Sequence, residues 1–218
     1  MSYKIAVITS SPNKEGLTAA CGNAAKKGLE AAGAEVDMID LNSYEIGRCR
    51  ACGTGYGTCR TEHRCQTEDD FGGLHQRLLA ADGYVVVSPV YWGDLSESAK
   101  AFFDRVRRCE ATAREESRLS GKPCIGVAAA GGGGGGTITC LMTMQQVFNH
   151  VRSEIFDLIT ITRKSREHKL LAIEGAGKAM VEYVKQKAGQ KAGQKAGRYL
   201  GTLGALGGPL AGETSNRI

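Results

Sequence analysis

Aromatic residues make up only 6% of this 218-residue chain, with a single tryptophan, and proline occurs four times. A core here must therefore be built mainly from aliphatic residues and alanine. Few prolines leave long segments free to become helix or strand. No apolar run approaches the roughly 20 residues that a membrane-spanning helix needs. Met1 to Ser10 hold one lysine and a four-residue apolar stretch with no cleavage-site pattern, which is not the build of a secretory signal. The expectation is a chain that stays in the cytoplasm and enters no membrane. In that reducing setting its eight cysteines are expected to be thiols or metal ligands, not disulfides. The formal net charge of +5 is a mild excess that reads as a solvated surface. Two basic stretches, Arg105 to Arg118 and Arg163 to Lys169, lack the interleaved aromatics of a single-strand nucleic-acid binder. They read as solvated faces, and no nucleic-acid partner is expected.

What is abundant is glycine, 30 residues of 218, about twice the usual ~7%. Without a collagen-like period, the excess points to loops and to close backbone approach. Along the chain, buried-strand patterns alternate with helical ones. Strands are expected at 5–9, 36–41, 83–87, 123–130 and 155–162. Helices are expected at 16–32, from Thr67 to about Ala81, and over 95–109, 137–152 and from Ala176 onward. Such alternation implies a parallel sheet covered on both faces. Five strands suit the doubly wound order 2-1-3-4-5. The chain divides on this reading into an α/β domain over 1–175, with a cysteine-rich insertion over 42–66 after the second strand, and a C-terminal helix with a flexible glycine-rich tail over 176–218. A four-residue repeat at Lys187 to Arg198 sets Gly189, Gly193, Gly197 and Gly201 four apart, a small-residue stripe if helical and a frayed tail if not.

In a doubly wound sheet, ligands bind at the carboxyl ends of the strands. Three unusual loops fall there. Ser10-Ser11-Pro12-Asn13-Lys14-Glu15-Gly16-Leu17-Thr18 precedes a helix, whose free N–H groups and dipole favour a phosphate. It is neither a Rossmann fingerprint nor a P-loop. Ser88-Pro89-Val90-Tyr91-Trp92-Gly93-Asp94 brings two adjacent aromatics that suit a flat ring. Gly131 to Gly136 carries a large entropic cost, which makes a purely structural role hard to sustain. Cys49-x2-Cys52-x6-Cys59-x5-Cys65 places four cysteines within 17 residues. Four thiolates there suit a [4Fe–4S] cluster or a structural zinc, and thiols without metal are the third reading. His63 could join a zinc site but reads as a solvated loop histidine. The remaining cysteines read as small buried hydrophobes.

These strings resemble the NAD(P)H-dependent FMN reductase and iron–sulfur flavoprotein families of flavodoxin-like fold, over roughly residues 4 to 160. The first loop matches the family pattern at Ser11, Pro12, Gly16 and Thr18 and departs from it at Ser10, Asn13 and Leu17. Ser88 to Gly93 and Lys100-Ala101-Phe102-Phe103-Asp104-Arg105 match closely, with Asp94 in place of asparagine. The resemblance implies non-covalent FMN held by Ser10, Ser11, Asn13, Gly16, Leu17 and Thr18, by Pro89, Val90, Tyr91, Trp92 and Gly93, and by Gly131, Gly132 and Gly133. It implies an oxidoreductase with NAD(P)H as co-substrate and a small acceptor such as a quinone or a flavin. No catalytic side chain is implied, because the flavin does the chemistry. The alternative is an electron carrier with a [4Fe–4S] cluster on Cys49, Cys52, Cys59 and Cys65 and ferredoxin as partner. In that family the third cysteine normally stands where this chain has Gly55, whereas Cys65-Gln66-Thr67-Glu68-Asp69-Asp70 is in register. A homodimer or homotetramer follows from the same resemblance.

Overall fold

The computed structural model describes residues 2–111 and 117–204, with side chains described only as far as Gln190. Arg114 and the tail expected over 207–218 lie outside the described residues, as do the surroundings of Gly193, Gly197 and Gly201.

The first compact unit, Met1–Val184, is an α/β sandwich. Its strands are β1 (Lys4–Thr9), β2 (Glu35–Asp40), β3 (Gly83–Pro89), β4 (Pro123–Ala130) and β5 (Glu154–Thr162). All pair in parallel in the order β2-β1-β3-β4-β5, as the alternation predicts. The helices are α1 (Leu17–Ala31), α2 (Thr58–Thr61), α3 (Phe71–Ala80), α4 (Glu97–Glu110), α5 (Thr137–His150) and α6 (Arg166–Gly204). Because successive strand side chains point to opposite faces, the central strands feed two cores. Ile5, Val7, Val85 and Val87 join α1 and α6 on one face. Ala6, Ile8, Tyr84 and Val86 join α3, α4 and α5 on the other.

Local sequence explains the helix ends. α1 buries Cys21, Ala25, Gly28 and Leu29 along one stripe, and Gly33, at φ +83°, follows it in the left-handed region. Gly28 lets α1 meet α6, since a Cβ there would lie 1.9 Å from the Glu174 carbonyl oxygen. α4 starts at Ser96, whose Oγ accepts the Ala99 N–H at 3.4 Å, and ends with Arg107 and Arg108 at the negative end of its dipole.

Two elements begin away from their expected positions. α6 starts at Arg166 rather than Ala176, because Ser165 and Thr162 exchange backbone and hydroxyl hydrogen bonds that close the preceding turn. α3 starts at Phe71 rather than Thr67. Asp69 and Asp70, which a helix starting at Thr67 would hold in its first turn, instead grip the chain before the cysteines. Asp70 Oδ2 accepts from the Glu45 N–H at 2.7 Å and Asp69 Oδ2 from the Gly47 N–H at 2.9 Å. The second unit, Lys185–Ile218, continues α6 as helix to Gly204. Among the described residues no helix is long and apolar enough to cross a membrane.

Candidate functional site

A parallel sheet puts the carboxyl ends of β1, β3 and β4 on one rim, and the three unusual loops leave from those ends. The first loop, Ser10 to Gly16, is tied down from below. Ser96 Oγ donates to Ser10 Oγ at 2.8 Å or to the Ser10 carbonyl at 3.0 Å, Ser98 Oγ reaches the same carbonyl at 3.3 Å, and the Ser96 N–H donates to Ser88 Oγ at 2.9 Å. The Ser10 side chain is therefore buried in a serine network that joins the first loop to the second. Ser11 Oγ accepts from the Asn13 N–H at 3.2 Å and Asn13 Oδ1 from the Glu15 N–H at 3.0 Å, which curls the loop over the start of α1. Gly16 caps α1 with no side-chain hydrogen bond, and no acid stands in the first turn. The N–H groups of Leu17 and Thr18 thus open a helix end whose first turn holds no carboxylate.

The second loop is a tight hairpin. Tyr91 and Asp94 exchange N–H···O bonds of 3.0 and 2.9 Å. Trp92 and Gly93 between them have φ +52° and +79°, which is the pattern of a type I′ turn. Glycine or asparagine is the usual occupant of the position that Trp92 takes. A tryptophan held there, fully exposed at 105%, is strain of the kind kept at ligand-binding sites. Val90 N–H donates to the Ala129 carbonyl at 3.0 Å, which continues the β3–β4 pairing up to the hairpin. Pro89 closes β3 itself.

The third loop, Gly131 to Gly136, is clasped to the second at one end. Gly136 has φ +80°, and a Cβ there would lie 2.6 Å from Gly93 Cα. Thr139 Oγ1 donates to the Gly93 carbonyl at 2.7 Å. At the other end of the run, Gly132 and Gly133 stand bare, with nothing within 4 Å of a built Cβ. Only backbone with that much open space admits the edge of a planar ligand so closely. Between the first and second loops lies an open cleft lined by Ser10, Pro12, Tyr91, Ser96 and Glu97 and also by Arg48 and Cys49.

Cys49 borders a second, small cavity lined also by Cys52, Cys59 and Cys65. The insertion therefore gathers all four predicted cysteines around one space, Cys59 included despite its shifted position in sequence. No three His, Cys, Asp or Glu groups among the described residues converge on a single ion. Arg105 also lines this cavity. Burial pushes the Cys65 thiol up, but the Thr67 N–H and the Arg105 guanidinium outweigh it, and the net shift is downward. By contrast Cys21, Cys109, Cys124 and Cys140 lie buried within helices and a strand, and burial pushes each up to about 12. Those four behave as the small hydrophobes they were read to be.

Several side chains differ from their sequence reading. His63 is half-buried, with Nδ1 3.0 Å from the Cys109 carbonyl. Tyr56, in the same insertion, is exposed between the guanidinium groups of Arg60 and Arg108, 5.6 and 4.7 Å from its ring centre. Arg105, read as one of a solvated run, is buried. The signal for it was the string Asp104-Arg105, but the partners that bury it are tens of residues away.

A family model described as NADPH-dependent FMN reductase matches residues 3–161. An iron-sulfur flavoprotein of Methanosarcina thermophila is 34% identical over 102 residues, which are 47% of this chain and 51% of the relative. An iron-sulfur flavoprotein of Methanocaldococcus jannaschii is 30% identical over 125 residues, 57% of this chain and 63% of the relative. The chain thus spans about half to under two-thirds of the length of these curated relatives. Among solved structures, an NAD(P)H:quinone oxidoreductase from Methanothermobacter marburgensis aligns at TM-score 0.60 and 19% identity, covering 82% of this chain and 96% of that one. At that identity the likeness is one of fold.

Proposed function

The chain belongs to the NADPH-dependent FMN reductase family, and from that premise we propose that it is an FMN-dependent oxidoreductase that takes reducing equivalents from NAD(P)H and passes them to a small acceptor such as a quinone or a flavin. The observation that carries the proposal is the joined rim: an uncapped helix start, an exposed strained aromatic hairpin and a bare glycine run, held together by Ser96 and by the Gly93–Gly136 contact. These features fit FMN part by part. When bound, FMN supplies hydride acceptance at its ring and release of electrons singly or in pairs.

The protein's share is binding and exclusion of water. The N–H groups of Leu17 and Thr18, at the positive end of α1, would take the phosphate, with the Ser11 hydroxyl beside them. The backbone around Asn13 and Gly16 shapes that pocket. Tyr91 and Trp92 would stack on the flat ring, and Val90, Gly93 and Gly131 to Gly133 would border it with backbone. No side chain needs to act as a general base. Ser10 contributes through its backbone and the network under the rim, not through its hydroxyl.

A second reading is favoured by the cysteine cavity and by the printed names of the curated relatives. Four thiolates on Cys49, Cys52, Cys59 and Cys65 suit a [4Fe–4S] cluster, and Cys49 borders the cavity as well as the cleft toward Tyr91. In that reading electrons pass between ferredoxin, the cluster and FMN. Thiolate ligands need a reducing compartment, for which the cytoplasm is the proposal. Ile138 and Met142, both more than half exposed on the first turns of α5 near the hairpin, support assembly into a homodimer or homotetramer.

The test is the absorption spectrum of the purified protein with iron and sulfide analysis, followed by anaerobic reduction. A flavin spectrum bleached by NADH or NADPH supports the reductase reading. A broad additional absorbance lost in Cys49→Ala, with bleaching by reduced ferredoxin alone, supports the carrier. A preparation that takes up no FMN contradicts both.

A further inference from the structure

One arginine of the basic run on α4 is not a surface charge. Arg105 is 1% exposed. Its cation lies 4.1 Å from the centre of the Phe71 ring. Nη1 donates to the Gly47 carbonyl at 3.0 Å and to Asp69 Oδ2 at 2.6 Å. Nη2 donates to Asp69 Oδ1 at 2.9 Å, to the Thr67 carbonyl at 3.5 Å and to Cys65 Sγ at 3.3 Å. Gly47 precedes the four cysteines, and Thr67 and Asp69 follow them. A single guanidinium therefore holds both stems of the insertion and one of its sulfurs.

A buried cation has to be paired, and Asp69 does that. A carboxylate leaves some of the five guanidinium N–H groups to find other acceptors. A neutral thiol is a weak acceptor for such a donor, whereas a thiolate is a good one, and thiolate is the form that binds metal. The Arg105 Nε, buried and with no partner among the described residues, shows that the guanidinium is placed by these contacts without all its donors being met.

We propose that Arg105 is the positioning residue of a four-cysteine cluster site: it aims the Cys65 sulfur into the cavity and, through the N–H···S bond, raises the reduction potential of the cluster held there. The inference rests on the second reading above. The couple concerned gains one electron and transfers no atom or proton. That electron spreads negative charge onto the sulfurs, so a cationic donor at a ligand sulfur favours the reduced form. Asp69 works in the opposite direction, since it offsets the charge that Arg105 presents.

The two variants Arg105→Lys and Asp69→Asn therefore have opposite expected signs. Lysine keeps a charge for Asp69 but lacks the fork that also reaches sulfur, so the cluster potential should become more negative. Asp69→Asn leaves the arginine less neutralised, so the potential should become more positive. The 218-residue chain is purified anaerobically, assayed for iron and sulfide, and titrated with redox dyes while cluster absorbance is followed, with thermal unfolding as the control for folding. Opposite shifts support the proposal. If Arg105→Lys holds no cluster, the sign in Asp69→Asn decides. A cluster-loaded Arg105→Lys with the parent potential overturns it, as do two shifts in the same direction, which a merely loosened loop would give. A parent protein without iron and sulfide overturns the cluster reading and this proposal together; iron present with an unmoved potential overturns this proposal alone.

Discussion

Adding one methyl group at Gly136 should open the clasp between the two rim loops. Gly136 sits at φ +80°, and the new Cβ would lie 2.6 Å from Gly93 Cα. The left-handed conformation costs a non-glycine residue about 1–2 kcal/mol. Overfilling a tight contact costs about 1–3 kcal/mol more. The neighbour is backbone, and it is held by the 2.7 Å bond from Thr139 Oγ1, so it cannot yield cheaply. The sum is about 2–5 kcal/mol. Without ligand, the hairpin can swing aside and relieve part of this. With FMN bound, the closed rim is required, and the remainder appears as lost affinity. At about 1.4 kcal/mol per decade, the Kd for FMN should rise at least tenfold and at most about a thousandfold. The assay is quenching of flavin fluorescence, run beside thermal unfolding. Gly135→Ala is the control: its Cβ would meet nothing within 4 Å and its φ is not positive, so its unfolding temperature should not fall. If Gly136→Ala binds FMN within about twofold of the parent and unfolds at the same temperature, the loops do not act as one site.

Other substitutions probe the rim, the fold and its acid limit. Trp92→Ala removes a fully exposed ring, so stability should change by no more than about 0.5 kcal/mol; loss of stacking worth about 0.5–1.5 kcal/mol should weaken FMN binding by up to about tenfold, and unchanged affinity would exclude Trp92 from the ring site. Gly28→Ala should lower the thermal midpoint although alanine is the better helix former by about 1 kcal/mol, because its Cβ would lie 1.9 Å from the Glu174 carbonyl; a higher midpoint would mean that α1 and α6 do not pack this closely. Asp37 is held below the usual carboxylate range, first by the hydrogen bonds of Arg77. A depressed carboxyl contributes stability above its unfolded value, about 3.9, and that contribution is lost as pH falls through the lower folded value. Asp37→Asn should thus be less stable than the parent at neutral pH and approach it in acid by urea unfolding. A deficit that stays constant with pH would rule out the ion pair as its source.

Much of the fold is legible locally. Pro123 to Ala130 forms a strand with the bounds its apolar run gives, and Gly33 ends α1 in the conformation that glycine permits. The rim loops are legible too, because their odd compositions have local consequences: an uncapped helix start, a positive-φ tryptophan, bare glycines. What sequence could not reveal depends on partners distant in the chain. Arg105 looks like one more basic residue until Asp69, Cys65 and Phe71 are folded against it. Glu110, at the end of the same helix, is fully buried with His75 Nε2 at 3.0 Å and the Arg118 guanidinium at 2.8 Å. Ser10 is expected at the ligand because the resemblance implies it, yet Ser96, 86 residues away, donates to its hydroxyl. Cys59 shows the reverse, since its shifted spacing argues against a shared site, and the loop still brings it to the same cavity.

Titration of the flavin-free 218-residue chain with FMN and with riboflavin, followed by flavin fluorescence, tests the central claim most directly. Hydrogen bonds to a charged group are worth about 1.5–3 kcal/mol, so phosphate at the start of α1 should make FMN bind at least about tenfold more tightly than riboflavin, with one FMN per chain and its fluorescence quenched. Failure of FMN to bind, or equal affinity for riboflavin, would contradict the placement of a phosphorylated flavin on this rim.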